Sequence, residues 1–321
     1  MPPVDRNRPV RADSSESDYS IMEFFREFPD DATCLGWLWR NRFSEDGSHA
    51  ECPSCERERK FHKVNDRPAW DCDSCGHHIH PTAGTIFEKS STSLHLWFYA
   101  IHLMTSTRCA ISAKQLEREL GVTYKTAWRI ANRIRNELMM QDDELLSGEV
   151  EADETYIGGK PRAAAIRAAK KRAVYPRQAM ARKPKLSVWG AVARGGEVRA
   201  VVVPDSSAAT LGGALHRYVL PSSTIYTDEW KAYVGPGKGF KQHLRVPHNQ
   251  NIYVVGTVHT NTIEGFFSLV KNGIRGVYHS VSAKWLQGYL NEYASRYNHR
   301  HRPRPRSMFE QLLLVAASGR D

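Results

Sequence analysis

Apolar residues in the last third of the chain recur with a helical period. Ile263, Phe266, Phe267 and Val270 stand at i, i+3, i+4 and i+7, which predicts one buried stripe along a helix. Asn261, Glu264, Ser268 and Lys271 line the adjoining face, so an amide, a carboxylate and an ammonium point together from the flank of a packed helix. A further amphipathic helix is built on Trp285, Leu286, Tyr289, Leu290 and Tyr293. Upstream the period falls to two. Glu149, Glu151 and Asp153 alternate with Val150 and Ala152, which predicts a short strand ending at Asp153. Lys185 to Ala193 and Glu197 to Val203, joined through Arg194-Gly195-Gly196, predict a hairpin; Thr210 to Val219 a helix; and Ser223 to Thr227 a strand that delivers Asp228. From Gly148 onward the order of strand, hairpin, helix, strand and long helices predicts a separate α/β domain.

The first half reads differently. Ile21 to Arg42 is aromatic and apolar at helical spacing, the packing pattern of a small helical subdomain. Ser112 to Leu120 predicts a helix with an N-cap serine that stops at Gly121; Thr123 then caps a second helix through Ala127, Ile130 and Ile134. Two helices crossing steeply around a glycine turn form a helix-turn-helix, whose second helix offers its N-terminal residues to a major groove. Tyr124, Lys125, Arg129 and Arg133 lie on that helix as candidate DNA contacts, while Trp128 serves equally as core. Any three-helix bundle with a glycine turn would share the apolar pattern.

Between these segments stand Cys52-Pro-Ser-Cys55 and Cys72-Asp-Ser-Cys75-Gly76, two C-x2-C pairs separated by sixteen residues. That spacing fits two knuckles around one tetrahedral, structural zinc, with the short strands of a zinc ribbon at Lys60 to Val64 and Pro68 to Asp71. Gly76 suits the tight turn after the second pair, whereas Glu56 and Arg57 make the first knuckle less ideal. His77, His78 and His80 are competing ligands that four thiolates make unnecessary; Cys34 and Cys109, without partners at metal spacing, are expected as small buried hydrophobes.

Composition narrows the class. With 45 Lys and Arg against 35 Asp and Glu among 321 residues, the net charge of +10 favours a polyanionic partner. The polar, mixed-charge stretch Met1 to Ser20 has no signal-peptide pattern, and the apolar run from Leu94 to Met104 is too short to span a bilayer. Reduced cysteine pairs point to the cytosol; with a polyanionic partner and no spanning run, the expectation is nucleoid association and no membrane partner. Lys160 to Lys185 is a basic insertion that either grips DNA or acts as a solubilising loop; Arg296 to Arg306 is a second basic stretch suited to phosphate.

The candidate chemistry rests on Asp153, Asp228 and Glu264, each at the end of an expected element. Phosphodiester chemistry with two divalent ions needs carboxylates from separate elements that hold the ions about 4 Å apart. Gly148-Glu-Val-Glu-Ala-Asp153-Glu-Thr-Tyr-Ile-Gly-Gly159, Thr227-Asp228-Glu-Trp-Lys-Ala-Tyr233 and His259-Thr-Asn-Thr-Ile-Glu264-Gly-Phe-Phe-Ser268 resemble the three signature blocks of ISXO2-like transposases of the IS1595 family. Pro81 to Phe87 resembles that family's linker between zinc ribbon and helices. The resemblance runs from about Cys52 to Arg302.

The resemblance implies an α/β, RNase H-like catalytic domain preceded by a zinc ribbon and a helix-turn-helix-like helical domain, with Asp153 and Asp228 as Mg2+ or Mn2+ ligands. The third ligand is Glu264 or Asn261; the seven-residue step from Glu264 to Lys271 and the charge of a carboxylate favour Glu264. Lys271 would contact a phosphate near the scissile bond, with Arg275, Tyr278 and His279 as further DNA-positioning residues. The expected divisions are a disordered tail over 1–19, a helical segment over 20–48, the zinc ribbon over 49–88, the helix-turn-helix over 89–145, the catalytic domain over 146–302 with a basic insertion at 160–185, and a C-terminal tail or helix over 303–321. The activity implied is DNA strand cleavage and 3′-hydroxyl strand transfer on terminal inverted repeats and target duplex, by at least a dimer. Two rivals are a non-catalytic zinc-ribbon and helix-turn-helix regulator derived from a transposase, and a metal-dependent nuclease acting outside transposition.

Overall fold

The computed structural model describes residues 19–107, 109–158, 185–246, 259–300 and 305–319. They fall into two compact units, one holding the described residues up to 107, residues 113–138 and the C-terminal helix, the other holding residues 109–112 and 139–300. The sequence reading of Lys160 to Lys185 lies outside the described residues, apart from Lys185.

In the first unit the apolar stretch from Ile21 to Arg42 is two helices. Ser20 and Glu23 form a reciprocal capping box on α1 (Ile21–Glu27), and Asp30 accepts the Thr33 N–H at 2.8 Å to start α2 (Asp31–Arg42). The ribbon is a four-stranded antiparallel sheet of β1 (His49–Cys52), β2 (Arg57–Lys63), β3 (Trp70–Cys72) and β4 (His78–Ile79), in that order. Trp39 of α2 stacks on Trp70 of β3 with ring centroids 4.8 Å apart. The apolar run at Leu94 is α3 (Leu94–Ser106), with Trp97 and Phe98 fully buried. α4 (Ala113–Leu120) and α5 (Tyr124–Arg133) are joined through Gly121 at φ +64°, a backbone conformation that favours glycine. Leu116, Leu120, Ala127 and Ile130 are buried, as their spacing requires. After α5 the chain enters a π-helical turn, Ile134–Leu138, that buries Arg135.

The second unit is built on a five-stranded mixed sheet of β5 (Glu149–Ile157), β6 (Leu186–Ala193), β7 (Val198–Val203), β8 (Thr224–Asp228) and β9 (Gln242–Val246), in the order β7-β6-β5-β8-β9. β5, β6 and β7 run antiparallel; β8 and β9 lie parallel to β5. α6 (Ala208–Tyr218) covers one face with Leu211 and Leu215 against Val150, Ala152 and Ile225. α7 (Asn261–Gly273) and α8 (Leu286–Asn298) cover the other, where the stripe of Ile263, Phe266, Phe267 and Val270 packs on Val188, Val192 and Ala200. The last helix, α9 (Pro305–Ser318), belongs to the first unit: its Phe309 stacks on Tyr19 at 5.3 Å and meets Phe24 and Phe28 edge-on.

Two expectations are corrected, and one strand is added. Asp153 does not end its strand, because Glu154 to Ile157 keep pairing with Trp189 to Leu186 of β6 and extend β5 to nine residues. β9 had no sequence signal: its Gln-His-Leu-Arg-Val run lies on an edge and buries only Val246. Cys34 is buried and its thiol is pushed up to about 12 by desolvation and then by Asp31 and Asp30, but Cys109 is exposed, because it lies outside the helices on either side of it.

Candidate functional site

The four ribbon cysteines converge. In each knuckle the residue after the second cysteine donates its N–H to the carbonyl of the first: Glu56 to Cys52 at 2.8 Å and Gly76 to Cys72 at 2.9 Å. Both turns use positive φ, +69° at Gly76 and +51° at Glu56, so the first knuckle forms with the same geometry despite its less suited residue. All four sulfur atoms lie within 4.8 Å of one another, and Cys52 Sγ is 3.6 Å from Cys75 Sγ. Tetrahedral zinc with Zn–S near 2.3 Å would hold its sulfurs about 3.8 Å apart, so the donor set fits that ion. His77, His78 and His80 stand outside the cluster.

The acidic residues come from three elements of the second unit. β5 and β8 are parallel neighbours, and the register sets Glu151 against Tyr226. The pairing ends there; two residues further along each strand come Asp153 and Asp228, close enough for the charge of Asp228 to act on Asp153, and the period of two turns both side chains to the face covered by α7. Asp153 is pushed up to about 8, by burial first and then by the charges of Glu154, Asp228 and Glu264, while the Glu154 N–H, 2.8 Å from its Oδ1, opposes the rise. Asp228 accepts the N–H of Trp230 at 2.9 Å, which turns the chain sharply at the strand end. Glu264 lies in the first turn of α7, exposed, with its Oε1 2.9 Å from the Thr260 hydroxyl that donates to it. Asn261 is the first residue of that helix and is exposed. The three carboxylates do not close as tightly as the cysteines. Two ions about 4 Å apart would themselves require a wider arrangement.

Further along, Lys271 is half-buried near the end of α7, and Arg275 is exposed on the π-helical turn Ile274–Tyr278 that follows. Tyr278 turns inward, donating to buried Glu292 at 2.7 Å; His279, at φ +59°, has Nδ1 3.2 Å from the Arg275 carbonyl. On α5, Tyr124, Lys125 and Arg129 are exposed, whereas Arg133 donates to Glu137 at 2.8 Å. Within Arg296 to Arg306, Arg296 is bonded to Glu292 at 2.8 Å and Arg300 lies 3.5 Å over the Tyr297 ring, so both spend their charge on intramolecular contacts.

Three residues that support the site carried little sequence signal. Glu151 is fully buried and accepts hydrogen bonds from the N–H groups of Thr262 and Ile263, the Thr262 hydroxyl and Arg194 Nε. It thereby caps α7 from another strand. Gly190, paired with Asp153, lets that helix approach: a Cβ there would lie 2.9 Å from the Phe267 ring and 3.1 Å from Ile263. Glu154 accepts from the buried Tyr233 hydroxyl at 3.0 Å and ties the turn after β8 to β5; burial, and then Asp228, raise its pKa. Its place on the same strand face as Asp153, by the period of two, was the only hint for Glu151.

Residues 145–298 match the family model of the ISXO2-like transposase domain. A Halobacterium salinarum protein described as an uncharacterized protein in transposable element ISH50 is 29% identical over 252 residues, covering 76% of this chain and 84% of the relative. The second half of the chain carries an ISXO2-like transposase domain, as its three motif blocks indicated.

Proposed function

We propose that this transposase cuts DNA at the ends of its insertion sequence and joins the freed 3′ hydroxyl to target duplex, with Asp153, Asp228 and Glu264 holding Mg2+ or Mn2+. One observation carries the reading: the parallel register of β5 and β8 sets two aspartates on one face, beneath the helix that bears Glu264. The strand order and directions, three antiparallel strands followed by two parallel to the first, fit an RNase H-like catalytic domain. When bound, the ions would supply a water-derived nucleophile near neutral pH and offset charge on the phosphate.

The chain's own residues divide the remaining tasks. Asp153, buried and crowded by three acids, gains most from a cation, since a divalent charge offsets both the burial and the repulsion that keep its proton on. Glu264 is favoured over Asn261 as third ligand because its charge acts on Asp153. Asn261 is left to orient water at the start of α7. Lys271 and Arg275 on the same helical arm suit phosphates flanking the cut, and exposed Tyr124, Lys125 and Arg129 suit a major groove, with α4 and α5 as the helix-turn-helix. Zinc on the four cysteines would hold the ribbon. Two element ends must be joined, which calls for at least a dimer on DNA, in the cytoplasm at the nucleoid. No helix among the described residues is long and apolar enough to cross a membrane.

The test is purified protein with duplex carrying the terminal inverted repeat, with and without Mg2+, beside Asp228→Asn. Metal-dependent nicking at the repeat boundary, lost in the variant, is expected. Binding without cutting would assign the chain to the non-catalytic regulators instead.

A further inference from the structure

Two aromatic side chains that meet at the loop after β7 are more solvent-exposed than their size would lead one to expect. Trp230 is 50% exposed and Tyr156 is 47% exposed, although most large aromatics of the second unit lie in its core. Their polar edges converge on one residue. The Tyr156 hydroxyl is 2.8 Å from Ser206 Oγ, and Trp230 Nε1 donates to the Ser206 carbonyl at 3.4 Å. Ser206 lies in the loop between β7 and α6, so a single loop holds a side chain from β5 and one from the turn after β8. Trp230 is held at its other end as well, since its backbone N–H donates to Asp228 Oδ1 at 2.9 Å. The indole and the phenol are therefore oriented by hydrogen bonds at their rims, with about half of each residue open to solvent. Lys231, next along the chain, is also exposed.

Rim-held rings with open faces suit a flat apolar ligand better than a protein core. In the setting of a DNA-cutting enzyme, on which this inference rests, such a ligand is a nucleobase out of its stack: base on aromatic stacking is strong and tolerant of sequence because every base has a π-face. Paired bases inside a duplex have both faces occupied and cannot use such a surface. We propose that Trp230 and Tyr156, oriented by Ser206, form a stacking platform for an unpaired nucleobase at the DNA end, next to the Asp228 carboxylate. The platform takes the base exposed when the terminal pairs open, Lys231 lies ready for its phosphate, and the neighbouring strand is thereby kept in register with the acidic residues. This makes Trp230 and Tyr156 substrate-positioning residues, with Ser206 acting through them.

The experiment measures binding by the full chain with Ca2+ in place of Mg2+, using three fluorescent probes: a flush-ended duplex, the same duplex with a short unpaired oligothymidine tail, and the same duplex with an abasic tail of equal length. Wild type is expected to prefer the thymidine tail over the flush end by about tenfold, the effect of about one stacked base. The abasic tail, which carries the same phosphates without rings, is expected to bind like the flush end. Trp230→Ala should lose the preference, and Trp230→Phe should keep most of it; an unchanged melting temperature shows that each variant is folded. Equal affinity of wild type for thymidine and abasic tails, or a preference that survives both Trp230→Ala and Tyr156→Ala, would overturn the platform. Cleavage of the terminal repeat in Mg2+ is read separately: a chain that prefers the thymidine tail but never cuts sinks the nuclease reading alone, and one that cuts without that preference sinks the platform alone.

Discussion

The carboxylate of Glu151 grips Thr262 at both ends, accepting its backbone N–H at 2.8 Å through Oε2 and its hydroxyl at 2.9 Å through Oε1. This single side chain fastens the start of α7, and so Glu264, to the strand that carries Asp153 two residues on. Arg194 closes the arrangement, bonding Glu151 and Glu149, donating to the His259 carbonyl at 3.0 Å and lying 4.0 Å over the Tyr226 ring. Removing the buried acid leaves Arg194 with Glu149 as its remaining acidic partner and leaves the amides of Thr262 and Ile263 unmet. Glu151→Ala is expected to lower stability by about 3 kcal/mol in urea denaturation, and Glu151→Gln by less, since the amide still accepts from the helix. Equal stability of wild type and Glu151→Ala would rule out the capping role.

The approach of α7 to the sheet depends on the missing side chain at Gly190. Gly190→Val places methyl groups against Phe267 and Ile263 and should cost roughly 1–3 kcal/mol. Because the clash lies beside Asp153, Mg2+-dependent cleavage should fall further than the stability loss explains. Nicking rates measured at a temperature where the variant is fully folded check this.

Crowding of acids makes Asp228 costly when no cation is bound. Asp228→Asn removes one charge that holds Asp153 up, so the variant should melt at a higher temperature than wild type in EDTA. Adding Mg2+ should raise the wild-type melting temperature and leave the variant's almost unchanged. A thermal shift of equal size in both proteins would remove Asp228 from the metal ligands.

The ribbon should carry a single zinc per chain, measurable by elemental analysis and lost in Cys72→Ser. Trp39 and Trp70 stack 4.8 Å apart with only 5° between their planes, so unravelling β3 on chelation should change tryptophan emission. Unaltered emission after complete zinc loss would show that the metal does not hold this sheet.

His102 supplies the pH dependence of the first unit. It is buried against Tyr19, Phe24 and Phe309, and desolvation lowers its pKa from 6.5 to about 4. Between those values the unfolded chain binds the proton more readily, so the contribution of the neutral ring is complete above pH 6.5 and is lost as pH falls to about 4, by roughly 3 kcal/mol in all. His102→Leu should flatten that part of the curve of unfolding free energy against pH.

Periodicity and local chemistry made much of this chain legible. The stripe of Ile263, Phe266, Phe267 and Val270, the hairpin around Gly195 and the turn at Gly121 are short-range patterns, each written within a dozen residues. The cysteine pairs are equally local, since each knuckle closes on its own backbone and only the joining of the two is long-range.

What only the tertiary structure decided concerns partners distant along the chain. The fold sets Asp153 beside Asp228 through strand register, runs β5 on past Asp153 because β6 continues to pair with it, and adds the polar edge strand β9 that no hydrophobic alternation announced. It also brings Phe309 near the C-terminus back to Tyr19 and Phe24, and buries Glu151 beneath a helix more than a hundred residues away. A sequence records the period of each element because that period follows from its own backbone geometry. Register, depth of burial and the meeting of charges depend on which surfaces pack together, and those belong to the folded molecule as a whole.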